Sequence, residues 1–279
     1  MVSMNRLDNA ARARVISCLV EGNSIRATVR MTGVAKNTVT KLLVDIGEAC
    51  VDFHDKNVRH VSARRVQCDE IWSFVGAKAK NVPEEKKDSG MGDMWTWVAV
   101  DADSKLVLSY LCGGRDAEWA HQFMKDVASR LTMRVQITSD GHRAYAEAVE
   151  GAFGMDVDYA MLIKLYGAPS EKYDTRYSPS GLIGTRVGIL SGNPDPKHIS
   201  TSFVERQNLT VRMSNRRFTR LTNGFSKKLE NHRHSIALHY MYYNFCRVHQ
   251  SLRVTPAMEA KLADHVWTLN ELVLLLDSN

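Results

Sequence analysis

The chain has 279 residues, 44% hydrophobic and 24% charged, with a formal net charge of +6. That is a globular composition with ample material for a core, and no apolar run approaches the ~20 residues of a membrane span. Five cysteines, Cys18, Cys50, Cys68, Cys112 and Cys246, form no CxxC pair, which excludes zinc-finger and disulfide frameworks and predicts reduced thiols.

From the N-terminus, residues 7–47 read as three short helices. The first spans about 7–20, with Leu7, Ala11, Val15, Ile16 and Leu19 at helical spacing. Gly22-Asn23 ends it, and Ser24 caps a second helix over 25–31. Thr32-Gly33-Val34 turns the chain into a third helix over 35–46. Two short helices joined by a three-residue glycine turn match a helix-turn-helix. Lys36, Asn37, Thr38 and Lys41 then fall early on its second helix, where side chains meet base edges. An ordinary small helical bundle is the alternative. Residues 1–50 are expected as this domain, and 51–65 as a linker, helical at first and ending in Arg64-Arg65.

Strand-like runs follow at 66–75, 95–101 and 106–112. The last two flank Asp101-Ala102-Asp103-Ser104-Lys105, a hairpin turn, and 76–94 is a polar loop. Asp116 caps a helix to about Leu131, with Trp119, Ala120, Phe123 and Val127 on its apolar face. A strand at 134–139 delivers Asp140, Gly141 turns the chain into a helix over 143–153, and another strand lies within 157–165. Residues 166–200, rich in Gly, Pro and Ser, read as an inserted loop with short extended pieces around 184–190. A long helix is expected over 226–248, a short one opened by Pro256, and a last one over 269–276. The expected architecture is a mixed α/β sheet flanked by helices over 66–255, with 256–279 as a C-terminal helical segment.

Three carboxylates stand out. Asp69 lies inside Val66-Gln67-Cys68-Asp69-Glu70-Ile71-Trp72, where an apolar setting makes an unpaired charge costly. Its bland reading is a solvent-facing position with Glu70 turned inward. Asp140 closes Val135-Gln136-Ile137-Thr138-Ser139, and strand ends are where catalytic groups collect in open α/β sheets; Asp140-Gly141 is equally a turn signal. Glu205 opens a helix, where Ser202-x-x-Glu205 also fits a capping box. Three carboxylates from two strands and a helix can hold two hard divalent cations, Mg²⁺ or Mn²⁺, on oxygen ligands. Such a pair can clamp the attacking and leaving oxygens of a phosphodiester.

Charge is unevenly spread. Residues 1–65 carry 11 Lys/Arg against 6 Asp/Glu and residues 203–234 carry 8 against 2, while 66–202 carry 15 against 19. Two basic blocks around an acidic middle are the footprint of a nucleic-acid binder, with a merely solvated surface of exposed Lys and Arg as the alternative. Arg206, Arg212, Arg216, Arg217 and Arg220 form the second block, with Phe203, Phe218 and Phe225 interleaved. Charge of this density suits contact with a DNA backbone, and Arg212, two turns from Glu205, can meet a phosphate near the cations.

Cys68-Asp69-Glu70-Ile71-Trp72, Thr138-Ser139-Asp140-Gly141 and Ser202-Phe203-Val204-Glu205-Arg206, spaced by 71 and 65 residues between carboxylates, resemble the catalytic blocks of bacterial insertion-sequence DDE transposases of the IS-one type. Tyr243-Asn244-Phe245-Cys246-Arg247-Val248-His249-Gln250-Ser251-Leu252 with Thr255-Pro256-Ala257 is similar to the segment closing many such domains, and Arg212 sits where the family often has Lys or Arg. The resemblance implies a ribonuclease H-like fold, as in retroviral integrases, with Asp69, Asp140 and Glu205 holding two Mg²⁺ ions. It implies DNA end cleavage followed by strand transfer, on double-stranded terminal repeats and target DNA, by a homodimer or larger assembly. His142, Tyr145, His249 and Arg143 are candidate supporting residues, the histidines as DNA or indirect contacts. With scattered Arg6, Arg12 and Arg14 and no leader pattern, a cytoplasmic, nucleoid-associated bacterial protein is expected. A metal-dependent nuclease of the same fold without strand transfer, and a non-catalytic DNA-binding regulator, stay open as alternatives.

Overall fold

The computed structural model describes residues 7–167 and 181–277. The first helix, α1 (Asn9–Val20), is capped by the Asp8 carboxylate, which accepts from Ala11 N. The second, α2 (Ile25–Thr32), is capped by Ser24 and ends at Gly33, whose φ of 72° is the left-handed conformation that closes a helix. The third, α3 (Lys36–Asn57), is a single 22-residue helix that absorbs the helical start of the expected linker. It runs past Gly47 because it packs on a later helix, α7 (Leu229–Met241). A Cβ at Gly47 would lie 2.3 Å from the Cβ of His234, so the close approach requires glycine. At its far end α3 is tied to α4 (Ala117–Arg130) by buried Arg130, which bonds Asp55 at 2.5 Å and Val58 O at 3.1 Å.

The sheet has six strands: β1 (Arg65–Val75), β2 (Gly92–Asp101), β3 (Val107–Gly113), β4 (Val135–Ser139), β5 (Val157–Tyr166) and β6 (Leu182–Ser191). Their order is β3-β2-β1-β4-β5-β6. The first three pair antiparallel, β1–β4 and β4–β5 pair parallel, and β6 returns antiparallel on β5. Between β4 and β5 runs α5 (Ala144–Phe153). The short extended pieces expected around 184–190 are thus part of a ten-residue strand; residues 168–180 of the expected 166–200 loop lie outside the described residues.

Alternation along the strands builds two cores. Val66, Cys68, Trp97 and Ala99 face one buried cluster with α4, α5, α1, α3 and the last helix, α9 (Leu269–Leu274), after short α8 (Pro256–Glu259). Ile71, Val98, Val100 and Val107 face another, with Val204 and Val211 of α6 (Ser202–Ser214) and Ile236 and Tyr240 of α7. The N-terminal helices therefore share a continuous core with the sheet. The expected helix over 226–248 is shorter, because Ser226 bridges to Val75 and a π-helical turn over Tyr242–Cys246 follows α7. All five cysteines are free. No helix among the described residues is long and apolar enough to cross a membrane.

Three buried histidines mark the interior. Burial pushes His54 down to about 4 and His232 and His239 down to about 3. Each is neutral in the folded chain and protonates near 6.5 when unfolded, so its stabilisation is full above 6.5 and lost as pH falls toward the folded value. Asp69, pushed up to about 7, works in the opposite direction. The clean test is therefore a difference: both ring nitrogens of His239 lack partners, and His239→Leu should keep the packing. Between pH 7 and 5 the variant should lose about 2 kcal/mol less stability than the parent in urea titrations. Parallel losses in both proteins would refute the assignment.

Candidate functional site

Parallel pairing sets the site. The last register between β1 and β4 is Cys68↔Ser139, so the next residues on the two strands are Asp69 and Asp140. β4 stops there while β1 continues, leaving the edge of β1 open at this point. Asp69, Glu70 and Asp140 bring one carboxylate oxygen each to within 4.8 Å of one another. The turn and ligand readings of Asp140 coexist: its Oδ1 accepts His142 N at 2.9 Å, which fixes the carboxylate at the strand end.

Asp69 is held from two directions. Its Oδ1 accepts its neighbour's N–H, that of Glu70, at 2.9 Å, and its Oδ2 accepts Asn208 Nδ2 at 2.8 Å. Burial, then Glu70 and Asp140, push its pKa up to about 7, and Glu205 adds in the same sense. Asp69 is thus partly buried rather than solvent-facing, while Glu70 is turned inward as the bland reading had it. Glu70 was expected only as its inward alternative, yet it belongs to the cluster. Its carboxylate accepts Arg115 Nε at 2.7 Å and Tyr145 OH at 3.2 Å, and His142 Nε2 lies 3.8 Å away. Burial and Asp140 raise its pKa, while Arg115 and His142 pull it down. Arg115 also stacks on Trp95, 4.4 Å from the ring centroid.

Glu205 approaches on α6. Gln67, two residues before Asp69 and on its face, accepts the N–H groups of Phe203 at 2.8 Å and Val204 at 3.2 Å through Oε1. These are unsatisfied donors of the helix start, so β1 itself caps α6. The capping box expected at Ser202 and Glu205 does not form. Thr201 is the N-cap, and its hydroxyl donates to Glu205 Oε1 at 2.5 Å. The glutamate's two oxygens are engaged by Lys164 Nζ, each at 2.5 Å. Glu205 thus sits beside the acidic triplet, within electrostatic reach of Asp69, but paired to a lysine of β5.

The other expected residues are distributed as follows. Arg212 is half-buried; burial and Arg220 disfavour its charged form while Asp69 favours it. Arg206 is exposed on α6, as are Lys36, Asn37, Thr38 and Lys41 on α3. Lys41 is paired with Asp45 at 2.6 Å along its own helix. Lys36, Asn37, Lys41, Arg216 and Arg217 line one cleft of about 1200 Å³ between the N-terminal helices and the segment after α6. Arg143 flanks the start of α5. His249 lies in a turn where its N–H donates to Val254 O at 2.9 Å and Ser251 bonds its Nδ1 at 3.1 Å; the acidic cluster is not among its partners.

The cluster suits a hard divalent cation. Its donors are carboxylate oxygens, its negative charge exceeds what Arg115 and Lys164 neutralise, and Asn208 Oδ1, buried beside Asp69, has no partner among the described residues. Gln67, Arg115 and Lys164 escaped the sequence reading, and Glu70 entered it only as an inward-facing residue. Only Gln67 carried a usable signal, its place two residues before Asp69.

No family model and no curated protein matches the chain. Among solved structures it is similar to a piggyBac transposase synaptic complex with hairpin DNA, at 10% identity and a TM-score of 0.41, over 96% of this chain and 69% of that one. It is also similar to a Mos1 transposase paired-end complex with left transposon end, at 14% identity and a TM-score of 0.22, over 54% of this chain and 59% of that one. A Mos1 strand transfer complex matches at 12% identity and a TM-score of 0.25, over 85% and 78%.

Gln67→Ala would leave two helix-start amides without a buried acceptor. It should cost about 1–3 kcal/mol of stability in urea titrations, an unsatisfied-donor penalty. A loss indistinguishable from zero would show that α6 is docked by its apolar face alone.

Proposed function

We propose that this chain is a metal-dependent DNA transposase of the DDE type. One observation carries the reading: Asp69 and Asp140 directly follow the last register pair of the parallel strands β1 and β4, and β1 caps the helix that bears Glu205. The strand order, three antiparallel strands followed by parallel β4 and β5, supports it as the order of a ribonuclease H-like sheet. The motif blocks and their spacing supply the rest.

On this reading Asp69, Asp140 and Glu205 hold two divalent cations, Mg²⁺ or Mn²⁺. When bound, such a pair supplies Lewis-acid activation of the attacking oxygen and charge neutralisation at the leaving one. The chain itself does the positioning. Asn208 and the Glu70 N–H orient Asp69, the His142 N–H orients Asp140, and Arg212 faces the phosphate. Water is the first attacking group, freeing a 3′-hydroxyl at the element's end. That hydroxyl then attacks target DNA in line. No side chain becomes covalently attached, so orientation and electrostatics provide the catalysis. Lys36, Asn37, Thr38 and Lys41 read the terminal repeat, while Arg206, Arg216 and Arg217 contact backbone. Joining two ends calls for at least two copies of the chain.

The deciding experiment incubates the full chain with candidate end DNA and Mg²⁺ and resolves hydrolysis from joining on a gel. Both products are expected, and cleavage without joining would favour the nuclease alternative. Asp69→Ala should abolish both while keeping end binding; cleavage by the variant at the parental rate would overturn the reading. Lys36→Ala with Lys41→Ala should weaken binding to terminal repeats and flatten its salt dependence by about one to two units of slope. Unchanged affinity at moderate salt would remove the recognition role from α3.

A further inference from the structure

Resting on the reading above, Glu205 has a task that its present partners oppose. A ligand to a cation needs free lone pairs and uncompensated charge. Asp69, Glu70 and Asp140 already converge within 4.8 Å, but both oxygens of Glu205 accept from Lys164 and one also accepts from Thr201. We infer that Lys164 is a positioning residue that keeps Glu205 out of the cation-binding set until a second ion competes for it, so the site loads in two steps of unequal affinity.

The chemistry of the pair fits a latch better than a strut. Lysine is a point charge on a flexible stem, unlike the forked guanidinium of Arg115 that clamps Glu70 from the other side. The Lys164 and Glu205 side chains are 28% and 40% exposed, so water can solvate each when they part. An ion pair in that setting contributes little net stability, and a divalent ion outcompetes it where a buried pair would resist. Lys164 stands on β5 opposite Thr185, a position set by the strand rather than by α6, so the ammonium stays at the rim when Glu205 turns inward. There it offers a positive charge to a substrate phosphate. Asp69 and Asp140, whose carboxylate oxygens accept from neutral N–H donors among the described residues, take the first ion with no rearrangement.

The test counts Mn²⁺ bound to the full-length protein without DNA, by calorimetry and by electron paramagnetic resonance of the free ion. The parent should bind one ion and then a second at least about tenfold more weakly, the scale on which neighbouring groups tune metal sites. Lys164→Met should raise the second affinity by about tenfold and leave the first within a few-fold. Lys164→Gln serves as a second variant should the first fail to fold. Arg212→Met removes a charge near Asp69 that does not touch Glu205, and it should shift both affinities together. The latch is overturned if the parent binds both ions equally, or if neither Lys164 variant changes the ratio of affinities. Absence of any Mn²⁺ binding at millimolar concentration would overturn the metal reading itself.

Discussion

The parallel register of β1 on β4 is the constraint from which the rest of the site follows. It sets Asp69 beside Asp140 where β4 stops, and the continuing β1 carries Glu70 into the same space. Like charges gathered in a partly buried pocket oppose folding, as the raised pKa of Asp69 records. The arrangement persists because strand pairing and two apolar cores over-determine it. Trp97 and Tyr145 pack edge to face behind Glu70, and Ile71 and Val98 pack on the other side of the sheet. A local rule is broken at one place, and the surrounding packing sustains the break.

Polar side chains then fix what the register places. Gln67 and Asn208 join β1 to α6 at two points one turn apart on the helix, so the strand carrying Asp69 also sets the height and rotation of Glu205. Cations are placed asymmetrically around the acids. Arg115 donates to Glu70 and stacks on Trp95, Arg212 is half-buried on α6, and Lys164 pairs with Glu205.

Asp69, Asp140 and Glu205 were legible in the sequence because each departs from its local pattern: a charge in an apolar strand, an acid at a strand end, an acid in the first turn of a basic helix. Glu70 was not, because period-two alternation assigns neighbouring residues to opposite faces, and only the early end of β4 lets both reach one pocket. Lys164 was invisible because its partner is set by the order of β4 and β5 in the sheet, not by spacing along the chain. The capping box at Ser202 was misleading in an instructive way: the amides it would satisfy donate instead to Thr201 O and Ser200 Oγ, while the neighbouring helix-start amides of Phe203 and Val204 are taken by Gln67. The third helix was expected to end at 46, yet α3 runs through Gly47 to Asn57. In the fold, that glycine admits His234 of α7, and contact with a distant helix outweighs helix propensity.

Continuity of the core bears on how recognition and chemistry would be connected. Val15, Ile16, Leu43 and Ile46 of the N-terminal helices belong to the same buried cluster as Cys68 and Trp97 beneath the acidic pocket. Arg130 pins the far end of α3 to α4, and Gly47 seats its middle on α7. The cleft lined by Lys36, Lys41, Arg216 and Arg217 is thus bounded by elements held in fixed relation to the sheet. A helix-turn-helix on a free tether would deliver DNA near the site only as an effective concentration. One built into the core would deliver it at a defined distance and angle, and orientation is the larger part of catalysis when no covalent intermediate forms. On the proposed reading, the long α3 is therefore as much part of the catalytic apparatus as the strands that carry the carboxylates.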